Sequence, residues 1–281
     1  MLHRNIVNVG YNVQAASDGK NKMIVAIDTG EVNDTHALAT MVKQVQYNLG
    51  VKRMNVLADK GYHTGDQLGQ CENLGIDTFV SPKANAVNHR FNVFPMEIFK
   101  YHPGTDTYRC PNNSILRTNG RTYQRKGQCK KGTWVPFKHY KTKDCLNCPI
   151  KARCTSSPRG RIIQRSIFQG AIDRNNTRVN SDPDYYRRRQ QIIEHQFGTI
   201  KRQWGFTHVL MKGKPHVLAE VSILFTAYNL KRSLSILGFK HFLKRLNALL
   251  FNNLPNLINR IIIGHHAINL EFVNITSHEV S

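Results

Sequence analysis

The chain has 281 residues, enough for one large domain or two smaller ones with a buried core. Its 40 Lys and Arg outnumber its 18 Asp and Glu, which gives a formal net charge of +22, and 40% of the residues are apolar. No apolar run approaches the roughly 18 residues of a membrane span, and Met1 to Asn5 do not begin a secretory signal. The composition therefore excludes a membrane-spanning or wholly disordered chain and predicts a soluble, cytoplasmic protein with a polyanionic partner.

Positive charge is concentrated in two segments. Residues 117–165 contain 14 Lys and Arg and one acid, and residues 200–245 contain nine and one acid. Either segment alone is compatible with a solvated face. Together, and with aromatic side chains interleaved in the first, they predict nucleic-acid binding, because cations acting in concert release many counterions.

The first 81 residues show alternating strand and helix patterns. The predicted elements are, in order, strands at 10–17 and 22–29, a helix from an N-cap at Asp34 to Gly50, a strand at 54–58, a helix at 64–74 and a strand at 77–80. This order predicts an α/β fold with a mixed sheet and flanking helices.

The rest of the chain is predicted to divide into three parts. Residues 82–180 hold five of the six cysteines and little periodicity, which indicates an irregular, cysteine-rich insertion. Helical pattern returns with Asp182-Pro183, an N-cap followed by Pro at the first helical position. The predicted parts are the first half of the core at 1–81, the insertion at 82–180, the helical second half of the core at 181–238 and a helical tail at 239–281.

Two carboxylates occupy positions at which catalytic or metal-binding groups are expected. Asp59 directly follows a predicted strand, where ligand-binding groups of open α/β sheets gather. Glu194 lies in a predicted helix with Arg187 and Lys201 at seven-residue steps, and therefore on one stripe. Periodicity alone favours a solvated stripe with ordinary ion pairs. A metal-ligating Glu between phosphate-binding cations is the alternative.

Four cysteines have a spacing typical of a metal site. Cys110, Cys145, Cys148 and Cys154 form Cys-x34-Cys-x2-Cys-x5-Cys, and two thiolates with two residues between them can converge on one ion. The spacing predicts one structural Zn²⁺ with four ligands and no open position. Free, unliganded cysteines are the alternative, and nothing indicates the oxidising compartment that a disulfide scaffold would need.

Four short segments stand in a distinctive order: GYNVQAA at 10–16, VLADKGY at 56–62, IEHQFGTIKR at 193–202 and AYNLKR at 227–232. Together they closely resemble the DDE-type transposases of bacterial insertion sequences, over roughly residues 6–238. The resemblance implies a ribonuclease-H-like fold and metal-dependent cleavage and strand transfer at transposon ends. It also implies double-stranded DNA, at those ends and at the target, as the partner, and a homodimer on that DNA.

The resemblance assigns roles to individual residues. The family's Asp, Asp, Glu triad holds two Mg²⁺, and by matching motif Asp59 is the second Asp and Glu194 the Glu. The family signature Tyr-x2-Arg-x3-Glu-x6-Lys is kept as Glu194-x6-Lys201, whereas Tyr186-x2-Arg189 is followed by four residues instead of three. The side chains implied to contact the transposon end are Tyr186, Arg187, Arg189, Lys201 and Arg202.

The first Asp of the triad has no counterpart at the expected place. In the family it lies upstream of the Gly-Tyr-Asn-Val-Gln segment, and only nine residues precede Gly10 here. Asp18, in a predicted turn, and Asp28 do not match its position. We therefore expect a truncated transposase with an incomplete triad. The alternative is a non-catalytic, zinc-containing DNA-binding remnant, and a host nuclease of the same fold is a weaker third.

Overall fold

The computed structural model of the protein describes residues 10–30, 34–82, 93–126 and 134–249 and the backbone of 2–3, 6–7 and 277–280. The chain forms two compact units, one of residues 1–82 and 175–281 and the other of residues 83–174. In the described ranges, no helix has the length and apolar content needed to cross a membrane.

Strands and helices are numbered in chain order. The strands are β1 (Leu2–His3), β2 (Ile6–Val7), β3 (Tyr11–Ser17), β4 (Ile24–Asp28), β5 (Met54–Ala58), β6 (Ile76–Val80), β7 (Lys100–His102), β8 (Thr107–Arg109), β9 (Ile115–Lys126), β10 (Trp134–Lys141), β11 (Ile163–Ser166) and β12 (Ser277–Val280). The helices are α1 (Leu38–Leu49), α2 (Gly65–Asn73), α3 (Gln169–Ser181), α4 (Pro183–Phe197), a π-helix at Gly198–Gln203 and α5 (Lys214–Leu237), and residues 239–249 are also helical.

The first unit contains antiparallel and parallel strands in separate sheets. β3 and β4 form an antiparallel hairpin, and β12 pairs antiparallel with the other edge of β3, over Tyr11 to Gln14. β5 and β6 form a parallel pair. The mixed sheet predicted from the sequence is thus divided in the described residues into an antiparallel sheet and a parallel pair, because β3 and β5 are not hydrogen-bonded to each other.

Helices of the first unit bury the apolar face of the β3–β4 hairpin. The stripe on α5 that faces the hairpin repeats at helical spacing, so burying it stabilises both elements. The buried cluster consists of Val13, Ala15, Ile24, Ile27, Phe197, Ile200, Val217, Val221, Phe225 and Tyr228.

The two predicted helix starts had opposite outcomes. α4 begins at Pro183, and the Asp182 carboxylate accepts the Tyr185 N–H at 2.8 Å, so that N-cap is confirmed. The N-cap predicted at Asp34 is wrong, because α1 begins at Leu38 and its N-cap residue makes no side-chain cap bond. The Asp34 carboxylate instead accepts a hydrogen bond from the Asn12 amide at 3.2 Å.

Helix α3 was missed because its sequence is mostly polar. It lies within the predicted insertion at 82–180, yet its second half belongs to the first unit. The buried Asn175 amide closes the outer edge of β6: its Oδ1 accepts the Val80 N–H at 2.9 Å and its Nδ2 donates to the Val80 carbonyl at 2.7 Å. Arg178 donates to the Thr78 carbonyl at 3.0 Å, which fixes α3 along the same edge.

Replacing Asn175 should destabilise the first unit. We expect Asn175→Ala to lower the free energy of unfolding by about 2–4 kcal/mol, because both polar groups of Val80 would stay buried without partners. Urea denaturation measures this change. The matched control is Asn180→Ala, exposed on the same helix, which should change stability by less than about 0.5 kcal/mol. Equal effects of the two substitutions would contradict the assigned role of Asn175.

The second unit is a regular β-structure, contrary to the irregular insertion that was predicted. Its five strands form an antiparallel sheet in the order β11-β10-β9-β8-β7. The Asp106 carboxylate accepts hydrogen bonds from Lys138 at 2.8 Å, Tyr140 at 2.7 Å and Tyr101 at 2.8 Å. These hydrogen bonds lower the pKa of Asp106 to about 2, and the bond from Lys138 has the largest effect. The core cluster consists of Phe99, Tyr108, Leu116, Tyr140 and Ile163.

The carboxy-terminal segment differs from the helical tail predicted at 239–281. Residues 239–249 are helical, but residues 277–280 form strand β12 beside β3. The part of the predicted tail between them lies outside the described residues.

Candidate active site at the end of strand β5

Asp59 stands directly after β5, at the end predicted for a functional carboxylate. It is the N-cap of a 3₁₀ turn at Lys60–Tyr62, and its Oδ1 accepts the Lys60 N–H at 2.7 Å. This bond fixes the carboxylate at the strand end. The side chain is 47% exposed, and among the described residues its Oδ2 makes no hydrogen bond. One carboxylate oxygen therefore remains accessible to a ligand.

Helix α4 brings two further predicted site residues to Asp59. The Arg189 guanidinium lies 3.8 Å from Asp59 Oδ1, and the Arg189 side chain is only 17% exposed. The Tyr186 hydroxyl donates to the carbonyl of Ala58 at 3.3 Å, and Arg189 lies over the Tyr186 ring. Both side chains are thus turned toward the end of β5.

A second carboxylate, Asp34, lies in the same region and was not foreseen as a site residue. Burial raises the pKa of the Tyr62 phenol well above its ordinary value, and the charges of Asp34 and Asp59 raise it further. A Cβ at Gly61 would lie 2.5 Å from Asp34 Oδ2, so a larger residue there would displace the Asp34 side chain. The Asp-Lys-Gly-Tyr segment was the available signal, but the partner of its glycine depends on the tertiary fold.

Glu194 lies on α4 but on another face of the helix. It is exposed, and five residues at about 100° each place it about 140° around the helix from Arg189. Its role as a metal ligand stays a prediction.

A family model described as Transposase DDE domain matches residues 8–230. The chain belongs to the DDE transposase family. The family resemblance predicted from the sequence is thereby confirmed, and the mixed α/β architecture is consistent with a ribonuclease-H-like DDE domain. Searches of the curated proteins and of the solved structures found no significant match.

DDE domains generally use Mg²⁺, which is bound through oxygen ligands in near-octahedral geometry. Asp59 and Asp34 offer the hard oxygen ligands that Mg²⁺ prefers. Within the described part of the chain, however, no three His, Cys, Asp or Glu side chains form a group that could hold a metal ion. The described side chains therefore do not by themselves assemble a complete Mg²⁺ site.

The other cationic residues predicted for DNA contact lie along α4 and the π-helix. Arg187 is 75% exposed and forms an ion pair with Asp184 at 2.8 Å. A surface ion pair of this kind contributes little to stability. Arg202 is exposed and Lys201 half-buried, with its Nζ 6.0 Å from the Phe197 ring. Because the π-helix has a wider turn than an α-helix, the seven-residue stripe predicted from Arg187 through Glu194 does not continue regularly to Lys201.

The four predicted zinc ligands lie near one another in the second unit. Cys110 and Cys154 pack against the same core cluster. Burial raises the pKa of the Cys154 thiol, and Cys145, Cys110 and Cys148 are all close enough to raise it further. The four are half-buried free thiols. As placed, they are not close enough together to form a metal-binding group within the described part of the chain.

The remaining cysteines were predicted to have no role. Cys71 is fully buried in α2, and burial, followed by the charge of Glu72, raises its thiol pKa to about 12. Such a thiol is inert packing. Cys129 lies outside the described residues.

Proposed function

We propose that this protein is a transposase that binds the ends of a bacterial insertion sequence and cleaves and transfers DNA strands there in a Mg²⁺-dependent reaction. Membership of the DDE family supports this proposal. The observation that carries it is the Asp59 carboxylate, which is held at the carboxyl end of β5 beside Arg189 with one oxygen accessible. Asp59 and Glu194 are the proposed catalytic carboxylates, and the incomplete metal site requires at least one further ligand.

The proposed partner is double-stranded DNA, at the transposon ends and at the target. A net charge of +22 supports a polyanionic partner, since neutralising phosphates releases counterions. We assign phosphate contacts to Arg187, Lys201 and Arg202. Such contacts do not depend on the base sequence of the DNA. We assign Tyr186 and Arg189 to contacts with the part of the DNA that lies nearest Asp59. A homodimer on DNA, acting at the nucleoid in the cytoplasm, belongs to the same proposal.

We also propose one structural Zn²⁺ in the second unit, bound by Cys110, Cys145, Cys148 and Cys154. Their spacing and their common location support it. Such a four-thiolate site is closed to substrate and has no part in cleavage.

DNA binding can be tested through its salt dependence. We expect Arg187→Ala and Arg202→Ala each to lower the slope of log Kd against log salt by about 0.9, because each variant neutralises one phosphate fewer. Fluorescence anisotropy with duplex DNA between about 50 and 200 mM salt measures the slope. Arg53→Ala is the control: this arginine is exposed at the amino-terminal side of β5, and its removal should leave the slope unchanged. Unaltered slopes in all three variants would refute the assigned contacts.

A DNA-binding protein that cannot cleave is the second candidate. This candidate, a zinc-containing remnant, needs no complete metal-ligand group for cleavage, and the described side chains do not contain one. Both candidates predict the same salt dependence, and they differ only in Mg²⁺-dependent strand cleavage.

A further inference from the structure

The loop that joins the π-helix to α5, residues 204–213, exposes two neighbouring apolar side chains at its tip. Leu210 is 80% exposed and Met211 is 48% exposed. A single exposed apolar side chain is ordinary on a protein surface. Two adjacent ones keep in water an apolar area that polar residues would have avoided. This apolar pair is informative about function if the loop that carries it is fixed.

The backbone of the apolar pair is held by one carboxylate. Glu220, in the second turn of α5, accepts the Leu210 N–H at 2.9 Å and the Met211 N–H at 2.9 Å. Hydrogen bonds to an ionised group are stronger than those between neutral groups. Glu220 is the only acid among residues 200–245. The one negative charge of this basic stretch is therefore engaged in keeping the apolar pair in place.

The loop is also anchored before and after its tip. The Phe206 N–H donates to the carbonyl of Ile200 at 3.2 Å, and the Phe206 ring packs against the buried cluster of the first unit. The Gly213 N–H donates to the Tyr11 hydroxyl at 2.8 Å. Gly213 has a φ of +89°, which favours glycine, and the chain turns there into α5. Because the loop is already ordered, little conformational entropy is lost when its tip meets a partner.

Exposed cations lie on both sides of the apolar pair in the sequence. They are Arg202 on the preceding π-helix, Lys212 directly after the pair and Lys214 at the start of α5. Arg202 is among the residues assigned above to phosphate contacts. A matching partner must present negative charge beside an apolar surface that Leu and Met side chains can enter. Duplex DNA has both features, with phosphates along its grooves and stacked bases between them.

We propose that Leu210 and Met211 form a wedge that inserts from the minor groove between stacked base pairs of duplex DNA and kinks the duplex. This inference rests on the proposed DNA function, to which it adds a contact with the bases. Leu and Met are among the side chains that can open a base step in this way. Pyrimidine–purine steps such as TA are the most easily unstacked. The wedge therefore favours TA steps without a hydrogen bond to any base.

The test uses the full chain and 2-aminopurine, an adenine analogue whose fluorescence rises when it is unstacked. The probe is a duplex of about 20 base pairs of alternating T and A, with 2-aminopurine at several adenines of one strand. Every binding register then places a TA step near the wedge. We expect saturating protein to raise the fluorescence at least about threefold, because an inserted side chain separates neighbouring bases.

The decisive variant carries both Leu210→Ala and Met211→Ala. We expect it to abolish the fluorescence rise and to lower the ratio of affinities for the TA duplex and a stiff A-tract duplex at least about fivefold relative to the parent. Both side chains are exposed, so the urea midpoint should not change. The matched control is Leu230→Ala, which removes a side chain as exposed as that of Met211. Leu230 lies about 15 Å beyond Glu220 along α5, and its removal should change neither quantity.

The wedge and the proposed DNA function fail in different ways. If the parent binds duplex DNA with the expected salt dependence but without a fluorescence rise, the wedge is refuted and the proposed function stands. A rise that survives in the double variant, or that is equally lost in Leu230→Ala, also refutes the wedge, because the unstacking then has another cause. If the parent does not bind duplex DNA at all, the proposed function and the wedge are refuted together.

Discussion

Asp59→Asn should abolish Mg²⁺-dependent cleavage of DNA that carries the insertion-sequence ends, with a loss of more than about 100-fold. The substitution keeps the size of the side chain and its acceptor for the Lys60 N–H, but it removes the negative charge that attracts a divalent cation. Losing even an outer-shell partner of a metal site typically costs about 10–100-fold, so losing a ligand should cost more. Single-turnover cleavage of end-labelled DNA measures the effect.

The control is a carboxylate at the opposite end of the same strand pair. Asp77 is 64% exposed on β6 and pairs with Arg178 at 3.3 Å. Asp77→Asn should leave cleavage within about twofold of the unaltered protein, because a surface pair contributes little. Both variants should bind DNA as the parent does. Cleavage that survives in Asp59→Asn would refute the catalytic assignment, and a parent protein that binds DNA but never cleaves it would favour the non-catalytic candidate.

The sequence predicted the elements whose signals are local. β5 has the predicted bounds, Met54–Ala58, because a short apolar run ends there at Asp59. α4 starts where Asp182-Pro183 predicts, since the Asp side chain satisfies a free N–H and Pro lacks one. Such signals need no knowledge of distant residues.

The second unit illustrates why other elements were missed. In β9, Leu116 is buried whereas Arg117, Asn119 and Arg121 are exposed. Its two aliphatic residues, Ile115 and Leu116, are adjacent and the rest of the strand is mostly polar, so it shows no alternation that can be recognised from the sequence. The sheet depends instead on backbone pairing with the next strand, β10, from Lys126–Trp134 to Arg117–Lys141, which the side-chain pattern does not reveal.

The candidate site was predicted only in part for the same reason. Asp59 could be recognised from the strand that precedes it, and Arg189 from the family signature. The nearness of Asp34 depends on the Asn12 amide and on the space left at Gly61. Neither contact has a signature in the local sequence, so Asp34 was interpreted as a helix cap.

The proposed zinc site predicts that the purified full chain contains about one zinc ion. Cys148→Ser should reduce this to well below one, because three thiolates and a hydroxyl bind Zn²⁺ far more weakly than four thiolates. Removing the metal with a chelator should also destabilise the second unit by several kcal/mol, since metal binding there contributes directly to folding. Metal analysis and thermal unfolding measure the two effects.

The matched control is Cys71→Ala, which removes a thiol that is buried in α2 and should leave the zinc content unchanged. Zinc binding should also weaken as the pH falls, because the ion binds thiolates and burial raises the pKa of Cys154. Well under one zinc per chain in protein purified without chelator would refute the site. If Cys148→Ser retained a full zinc ion, the assigned set of ligands would be refuted. Cys148 is one member of the Cys-x2-Cys pair on which the prediction depends.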